Sequence, residues 1–142
     1  MFLGVPRVYE KMEEALKNVA ASKGDLLRRI STWAKGIGFQ ASLRQAQKEA
    51  PPFCYKIAHP VVLNNIKKAV GLNACKLFIV SAAPMPRSTL EYLLSLNWLV
   101  FNFYGMSECA GPATANLWGY SNLFSGGKAM PGVEMRIMDK RG

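Results

Sequence analysis

The chain has 142 residues, of which 50% are hydrophobic and 19% charged, with a formal net charge of +9. That length suits one small domain with one core, the composition excludes a disordered tail, and no apolar run approaches the roughly 20 residues a membrane-spanning helix needs. Three unevenly spaced cysteines (Cys54, Cys75, Cys109) and a lone His59 argue against a disulfide framework and a metal site, and for structural thiols in a reducing compartment.

Phe2-Leu3-Gly4-Val5 is strand-like, lacks the basic leader of a secretory signal, and runs straight into a helical pattern. Val8, Met12, Ala15, Leu16 and Val19 recur at helical spacing with charges between them, predicting an amphipathic helix that closes near Gly24. Leu26, Leu27, Ile30, Trp33, Ala34 and Ile37 predict a second helix from Asp25 to the Ala50-Pro51 break, weakened in its middle by Gly36 and Gly38. Ile57 to Val70 reads as helical, with Pro60 near its start and Gly71 closing it. Most of the basic charge lies between Lys11 and Lys76, spaced along these helices as a solvated face would be.

The pattern then changes. Lys76-Leu77-Phe78-Ile79-Val80-Ser81 reads as a strand buried on both faces and ends in the small-residue loop Ala82-Ala83-Pro84. Ser88-Thr89-Leu90-Glu91 has capping-box spacing and opens a short helix through Leu96. Leu99-Val100-Phe101-Asn102-Phe103 is the next strand, so the stretch forms a βαβ unit with a parallel crossover. Val133 to Met138 alternates like a half-buried strand, and Asp139-Lys140-Arg141-Gly142 reads as a turn. The class is α/β: helices on a few mainly parallel strands, with a β-rich C-terminal tail. Both ends read as cut from something larger.

In open α/β sheets ligands bind at the carboxyl ends of the strands. Ser81-Ala82-Ala83-Pro84 and Tyr104-Gly105-Met106-Ser107-Glu108 occupy such positions as loops. Tyr104 offers a flat face for a base, and Gly105 lets the backbone approach a ligand. Ser107 offers a hydroxyl to a phosphate oxygen, and Glu108 a hard carboxylate oxygen for Mg²⁺. Ala82 and Ala83 leave room for a flat ligand. On these residues alone an ordinary strand-end turn explains the segment equally well.

Four ordered segments carry a resemblance. Gly4-Val5-Pro6-Arg7-Val8-Tyr9-Glu10-Lys11-Met12 is similar to a G-V-P-R-x-W-E-K-[ML] pattern, and Ser81-Ala82-Ala83-Pro84-Met85 to G-A-A-P-[LM]. Tyr104-Gly105-Met106-Ser107-Glu108 is similar to Y-G-[MLQ]-[TS]-E, and Gly127-Lys128-Ala129-Met130-Pro131-Gly132-Val133-Glu134 to G-K-P-[ML]-P-G-x-E. Over essentially its whole length the chain resembles the AMP-forming, adenylate-forming superfamily, within it the long-chain fatty acyl-CoA synthetases of the bubblegum type. Tyr9 stands where Trp is usual, Ser81 where Gly is common, and Ser107 for the commoner Thr.

The resemblance implies ATP, Mg²⁺ and coenzyme A as cofactors and co-substrates. It also implies that a fatty carboxylate attacks the α-phosphate of ATP, giving an acyl-adenylate and pyrophosphate, and that the acyl group then passes to the coenzyme A thiol with release of AMP. Ser81, Ala82, Ala83 and Pro84 would line the adenine pocket, Tyr104 would stack on adenine within the nucleotide-binding stretch that includes Met106, and Gly105 would border the acyl carboxyl. Ser107 and Glu108 would be the catalytic pair, Ser107 on the phosphate and Glu108 on Mg²⁺. Arg7 reads as a salt-bridge partner at its helix start. The family's Ser/Thr/Gly-rich phosphate loop ending in Lys, ribose-binding Asp, hinge and catalytic Lys are not found in this sequence. Residues 1–142 therefore read as a partial AMP-binding domain with no complete second domain, inactive in isolation. The expected location is cytoplasmic, peripheral on the cytosolic face of a membrane such as the endoplasmic reticulum. The alternative is a non-catalytic product whose basic helices dock on an anionic membrane or a partner chain. A nucleic-acid role lacks any reader motif.

Overall fold

Three short apolar strands cannot satisfy their backbone groups alone, and they do so side by side. The computed structural model describes residues 1–22, 24–116, 118–119 and 122–139. In chain order the elements are β1 (Phe2–Gly4), α1 (Pro6–Ala21), α2 (Asp25–Ala46), α3 (Tyr55–Ala58), a π-helical turn (His59–Leu63) and α4 (Asn64–Ala69). There follow β2 (Phe78–Val80), α5 (Arg87–Ser95), β3 (Val100–Met106), a 3-10 turn (Ser107–Cys109), β4 (Gly111–Ala115) and β5 (Lys128–Ala129). The sheet order is β1-β2-β3-β4-β5. β1, β2 and β3 are parallel, with Phe2 opposite Phe78 and Phe78 opposite Val100. β4 and β5 add antiparallel. The α/β class and the βαβ unit β2–α5–β3 hold.

The core sits where α1 and α5 cover the parallel strands. Tyr9, Phe78, Val80, Leu93, Leu94, Trp98, Val100 and Phe101 are buried together. Trp98 stacks flat on Phe78 at 5.1 Å between centroids. Tyr9, which stands where Trp is usual, is fully buried, and its hydroxyl donates to the Ile79 carbonyl at 2.9 Å. Burial pushes that phenol well above its ordinary pKa. The face of α1 that goes inward is Tyr9, Met12, Glu13 and Leu16, whereas Val8, Ala15 and Val19 of the predicted stripe are exposed. Glu13 is tolerated there because Lys17 pairs with it one turn on.

Each helix end has a local cause. α5 closes in a Schellman motif: Trp98 N–H donates to Leu93 O and Asn97 N–H to Leu94 O, with Asn97 at φ +59°. α2 ends at Ala46, four residues before the expected Ala50-Pro51 break, and closes the same way through Lys48 (φ +61°). Pro60 lies inside the third helical run, which begins at Tyr55 and not at Ile57. Proline cannot donate to the preceding turn, and the chain accommodates it by a wider π turn in which Asn64 N–H reaches His59 O.

Other expectations are corrected. Pro86 holds the N-cap position of α5, so Ser88 lies inside the helix and no capping box forms. Glu91 instead accepts from Arg87 Nε at 2.8 Å. Val133 to Met138 forms no strand: no ladder partner lies beside it among the described residues, and Met135, Ile137 and Met138 are exposed. The β-rich character of the C-terminal part comes from β4 and β5. Residues 140–142 of the expected terminal turn lie outside the described residues.

Candidate functional site at the carboxyl ends of β2 and β3

The register that places Val80, the last residue of β2, opposite Asn102 makes β2 end beside the middle of β3, just before Tyr104 in the direction of the strands. Ser81-Ala82-Ala83-Pro84 leaves β2 there as a bend, while Tyr104-Gly105-Met106 lies on the adjoining β3. Ser81 stays next to β1 as well, since its N–H donates to Gly4 O at 3.4 Å. Ala82, Ala83 and Pro84 are exposed, and Ser81 is half-buried. The conformational cost falls on Ala82, at φ +76°, and not on Ser81.

Tyr104 to Glu108 is not a loop from its first residue. Tyr104, Gly105 and Met106 extend β3 and pair antiparallel with β4, Tyr104 opposite Thr114 and Gly105 opposite Pro112, with a register shift between Tyr104 and Gly105. Only Ser107, Glu108 and Cys109 leave the ladder, as a 3-10 turn closed by Ala110 at φ +54°. Gly105 is needed by the sheet itself. A Cβ there would meet the Gly111 carbonyl oxygen at 2.5 Å and Pro112 Cα at 3.0 Å. Its close approach on the Cβ side is to β4, and the residue is otherwise exposed.

Tyr104 is 49% exposed, so its ring face is available. Met106, Ser107 and Glu108 are exposed too. Ser107 and Glu108 share one turn, so a hydroxyl and a carboxylate can address one phosphate and its cation. Among the described residues no group of three His, Cys, Asp or Glu side chains converges. A single exposed carboxylate still fits Mg²⁺, which commonly binds through one or two carboxylates plus substrate phosphates.

A second set of residues, unmarked in the sequence reading, builds the wall beside Tyr104. Asn102 Nδ2 donates to Leu123 O (3.1 Å) and Ser125 O (3.2 Å), and Asn116 Nδ2 to Ser125 O (3.0 Å). Thr114 Oγ1 donates to Gly126 O at 2.7 Å. These bonds hold segment 122–127 against β3 and β4, where a Cβ on Gly126 would lie 3.9 Å from that of Tyr104. The Arg87 guanidinium stands 4.8 Å from the Phe124 ring and ties the start of α5 to the same segment. The available signal was polar side chains, Asn102 and Thr114, inside otherwise apolar strands. Arg7 meets Glu10 at 3.5 Å on the surface, as a weak tie at the helix start.

Residues 1–142 match the family model of the AMP-binding enzymes. The chain belongs to that family. It is 44% identical over 137 residues to long-chain-fatty-acid–CoA ligase ACSBG2 of Gallus gallus, and 41% identical over 137 residues to ACSBG2 of Xenopus laevis; each alignment covers 96% of this chain and 18% of the relative. Against long-chain-fatty-acid–CoA ligase ACSBG1 of Bos taurus it is 32% identical over 97% of this chain and 19% of the relative. The chain thus spans about a fifth of the length of the curated relatives it matches. The bubblegum type expected from the four motifs is the type these relatives carry. No solved structure matches the chain.

Proposed function

We propose that residues 1–142 form one side of the adenylate site of a long-chain fatty acid–CoA ligase, as a partial AMP-binding domain that does not turn over alone. The observation that carries this reading is the juxtaposition of Ser81–Pro84 and Tyr104–Glu108 at the carboxyl ends of neighbouring parallel strands. Ser81 to Pro84 line one edge of the adenine and Tyr104 stacks on its face, with Met106 in the same stretch. Gly105 borders the acyl carboxyl. Ser107 bonds the α-phosphate, where the fatty carboxylate displaces pyrophosphate to give the acyl-adenylate, and the coenzyme A thiol then takes the acyl group and releases AMP. Glu108 holds Mg²⁺, which neutralises phosphate charge when bound. Such chemistry depends on positioning, and these residues address the nucleotide from one side only. The enzyme works in the cytoplasm, peripheral to a membrane such as the endoplasmic reticulum.

Amide-resonance titration of the chain with AMP and Mg²⁺ tests the site. Shifts are expected at Ser81–Ala83 and Tyr104–Glu108 and are lost in Tyr104→Ala. A titration that moves neither segment removes the assignment. ATP–pyrophosphate exchange with palmitate should be absent; robust exchange would overturn the half-site reading.

A second reading concerns the outward face of α2, where Leu26 (72% exposed) and Trp33 (48% exposed) share a face with Arg29. Apolar and cationic groups together suit peripheral contact with an anionic membrane. Sedimentation with phosphatidylserine vesicles should fall as salt rises; no binding at low salt removes this reading.

A further inference from the structure

α1, α2 and α4 do not close over one another completely. Between them runs a groove of about 470 Å³, within the range of small-ligand sites. Its walls are apolar: Leu16 and Val19 of α1, Leu27 and Ile30 of α2, Val62 of the π turn and Ile66 of α4. Its polar end is built differently. Lys17 Nζ and Lys35 Nζ both stand over the Tyr92 ring of α5, at 5.1 and 4.6 Å from its centroid. Lys17 is neutralised by Glu13, and Arg28 at the rim faces Asp25 at 3.8 Å. Among the described residues no carboxylate pairs with Lys35, a half-buried cation at the end of an apolar trough. Burial, then repulsion from Lys17, lowers its pKa, the response of an ammonium whose charge is poorly compensated.

The groove is remote from the strand ends. α1 starts beside them, since Gly4 adjoins Ser81, and runs away; at 1.5 Å per residue, Leu16 to Ala21 lie roughly 15–23 Å along it. None of Ser81–Pro84 or Tyr104–Glu108 borders the groove.

We propose that this groove is a binding site for a single-chain anionic amphiphile, a medium- or long-chain carboxylate, whose head group pairs with Lys35 and whose chain lies along Leu16, Leu27, Ile30 and Ile66. Charge complementarity selects this occupant. An apolar trough takes any aliphatic chain, but an ammonium at its end that has a ring face and no carboxylate beside it favours an anion and penalises a neutral or cationic head. The site stands apart from the proposed adenylate site and does not depend on it.

The test is titration of the 142-residue chain with sodium dodecanoate below its micelle concentration, followed by amide resonances and calorimetry. Saturable one-to-one binding is expected, with shifts at Leu27, Lys35 and Ile66. Dodecyl maltoside and dodecyltrimethylammonium should bind at least about tenfold more weakly, as loss of a charge-assisted contact implies. Lys35→Met should weaken dodecanoate similarly while leaving AMP-induced shifts at Tyr104 unchanged, and Ile30→Glu should abolish dodecanoate binding by obstructing the trough. The head-group series on the unaltered chain keeps the proposal testable if either variant fails to fold. Equal affinity for the three head groups, unsaturable uptake, dodecanoate-driven dimerisation, or shifts confined to Leu26 and Trp33 or to the strand ends would each overturn it. AMP binding without dodecanoate binding sinks this proposal alone, and the reverse sinks the adenylate reading alone.

Discussion

At Gly105 the nearest neighbours of an added methyl group are backbone atoms of Gly111 and Pro112, which cannot swing aside. Gly105→Ala should therefore open the β3–β4 ladder at a cost of about 1–3 kcal/mol, the usual penalty for overpacking. Faster hydrogen exchange at the ladder amides around Tyr104 and Thr114 would register it; unchanged exchange would mean that the strands part freely there. His59 offers a second test at this scale. Burial, then repulsion from Lys67, lowers its pKa below the ordinary value of about 6.5. The unfolded chain then takes up a proton more readily than the folded one, so this contribution to stability is full above about pH 6.5 and is lost as pH falls through the lower folded value. His59→Gln should flatten the dependence of urea-unfolding stability on pH just below 6.5, and an unaltered slope would rule out His59 as its source.

The two glycines of α2 separate propensity from packing. Gly36 has nothing within 4 Å of an added Cβ, whereas at Gly38 that Cβ would collide with the Ser95 carbonyl of α5. Gly36→Ala should stabilise α2 by about 0.5–1 kcal/mol, the helical cost of glycine. Gly38→Ala should destabilise it by about 1–3 kcal/mol through the shift it forces between helices. Exchange rates of α2 amides, slower in one variant and faster in the other, decide the matter. The sequence treats both as weak points because periodicity sees only one helix at a time. Its limits elsewhere have the same origin. The strands Phe78–Val80 and Val100–Phe103 were legible as apolar runs, and the helices as spaced apolar stripes. The π turn at Pro60 and the Pro86 cap were not, because each is set by local backbone geometry that a hydrophobic pattern does not encode. The alternation at Val133–Met138 was misleading, since period-2 patterning makes a strand only where a neighbour takes its hydrogen bonds.

Across the whole molecule the sheet joins two regimes. Its parallel half, β1 to β3, is the βαβ frame that apolar runs announced; its antiparallel half, β4 and β5, carries residues such as Gly111-Pro112 and Lys128-Ala129 with little strand character of their own. β3 belongs to both, and the shift at Gly105 lies in its antiparallel half. The motif residues of the candidate site were legible because their chemistry is local. The polar wall formed by Asn102, Thr114 and Asn116 was not, because its partners at Leu123 to Gly126 become neighbours only after folding.

The pairing of β1 with β2 fixes an order in time. Phe2 lies opposite Phe78, with α1 to α4 intervening in the chain, whereas β2 meets β3 across α5 alone and β3 meets β4 across a tight turn. Closing the longer loop costs more entropy before any contact rewards it. The hairpin and the β2–α5–β3 unit should consolidate first, and the earliest residues of the chain should dock last. Phe2→Ala, which removes a half-buried ring packed on Tyr9 and Phe78, should then speed unfolding about tenfold, from roughly 1.5 kcal/mol of lost burial, while leaving the folding rate nearly unchanged. Stopped-flow measurement of both rates would reveal the order, and a slowed folding arm would reverse it. A chain that assembles this way enters its last folding step with the β1-facing side of β2 unpaired, so the backbone bond from Ser81 N–H to Gly4 O, at the root of the Ser81–Pro84 bend, is among the last to form.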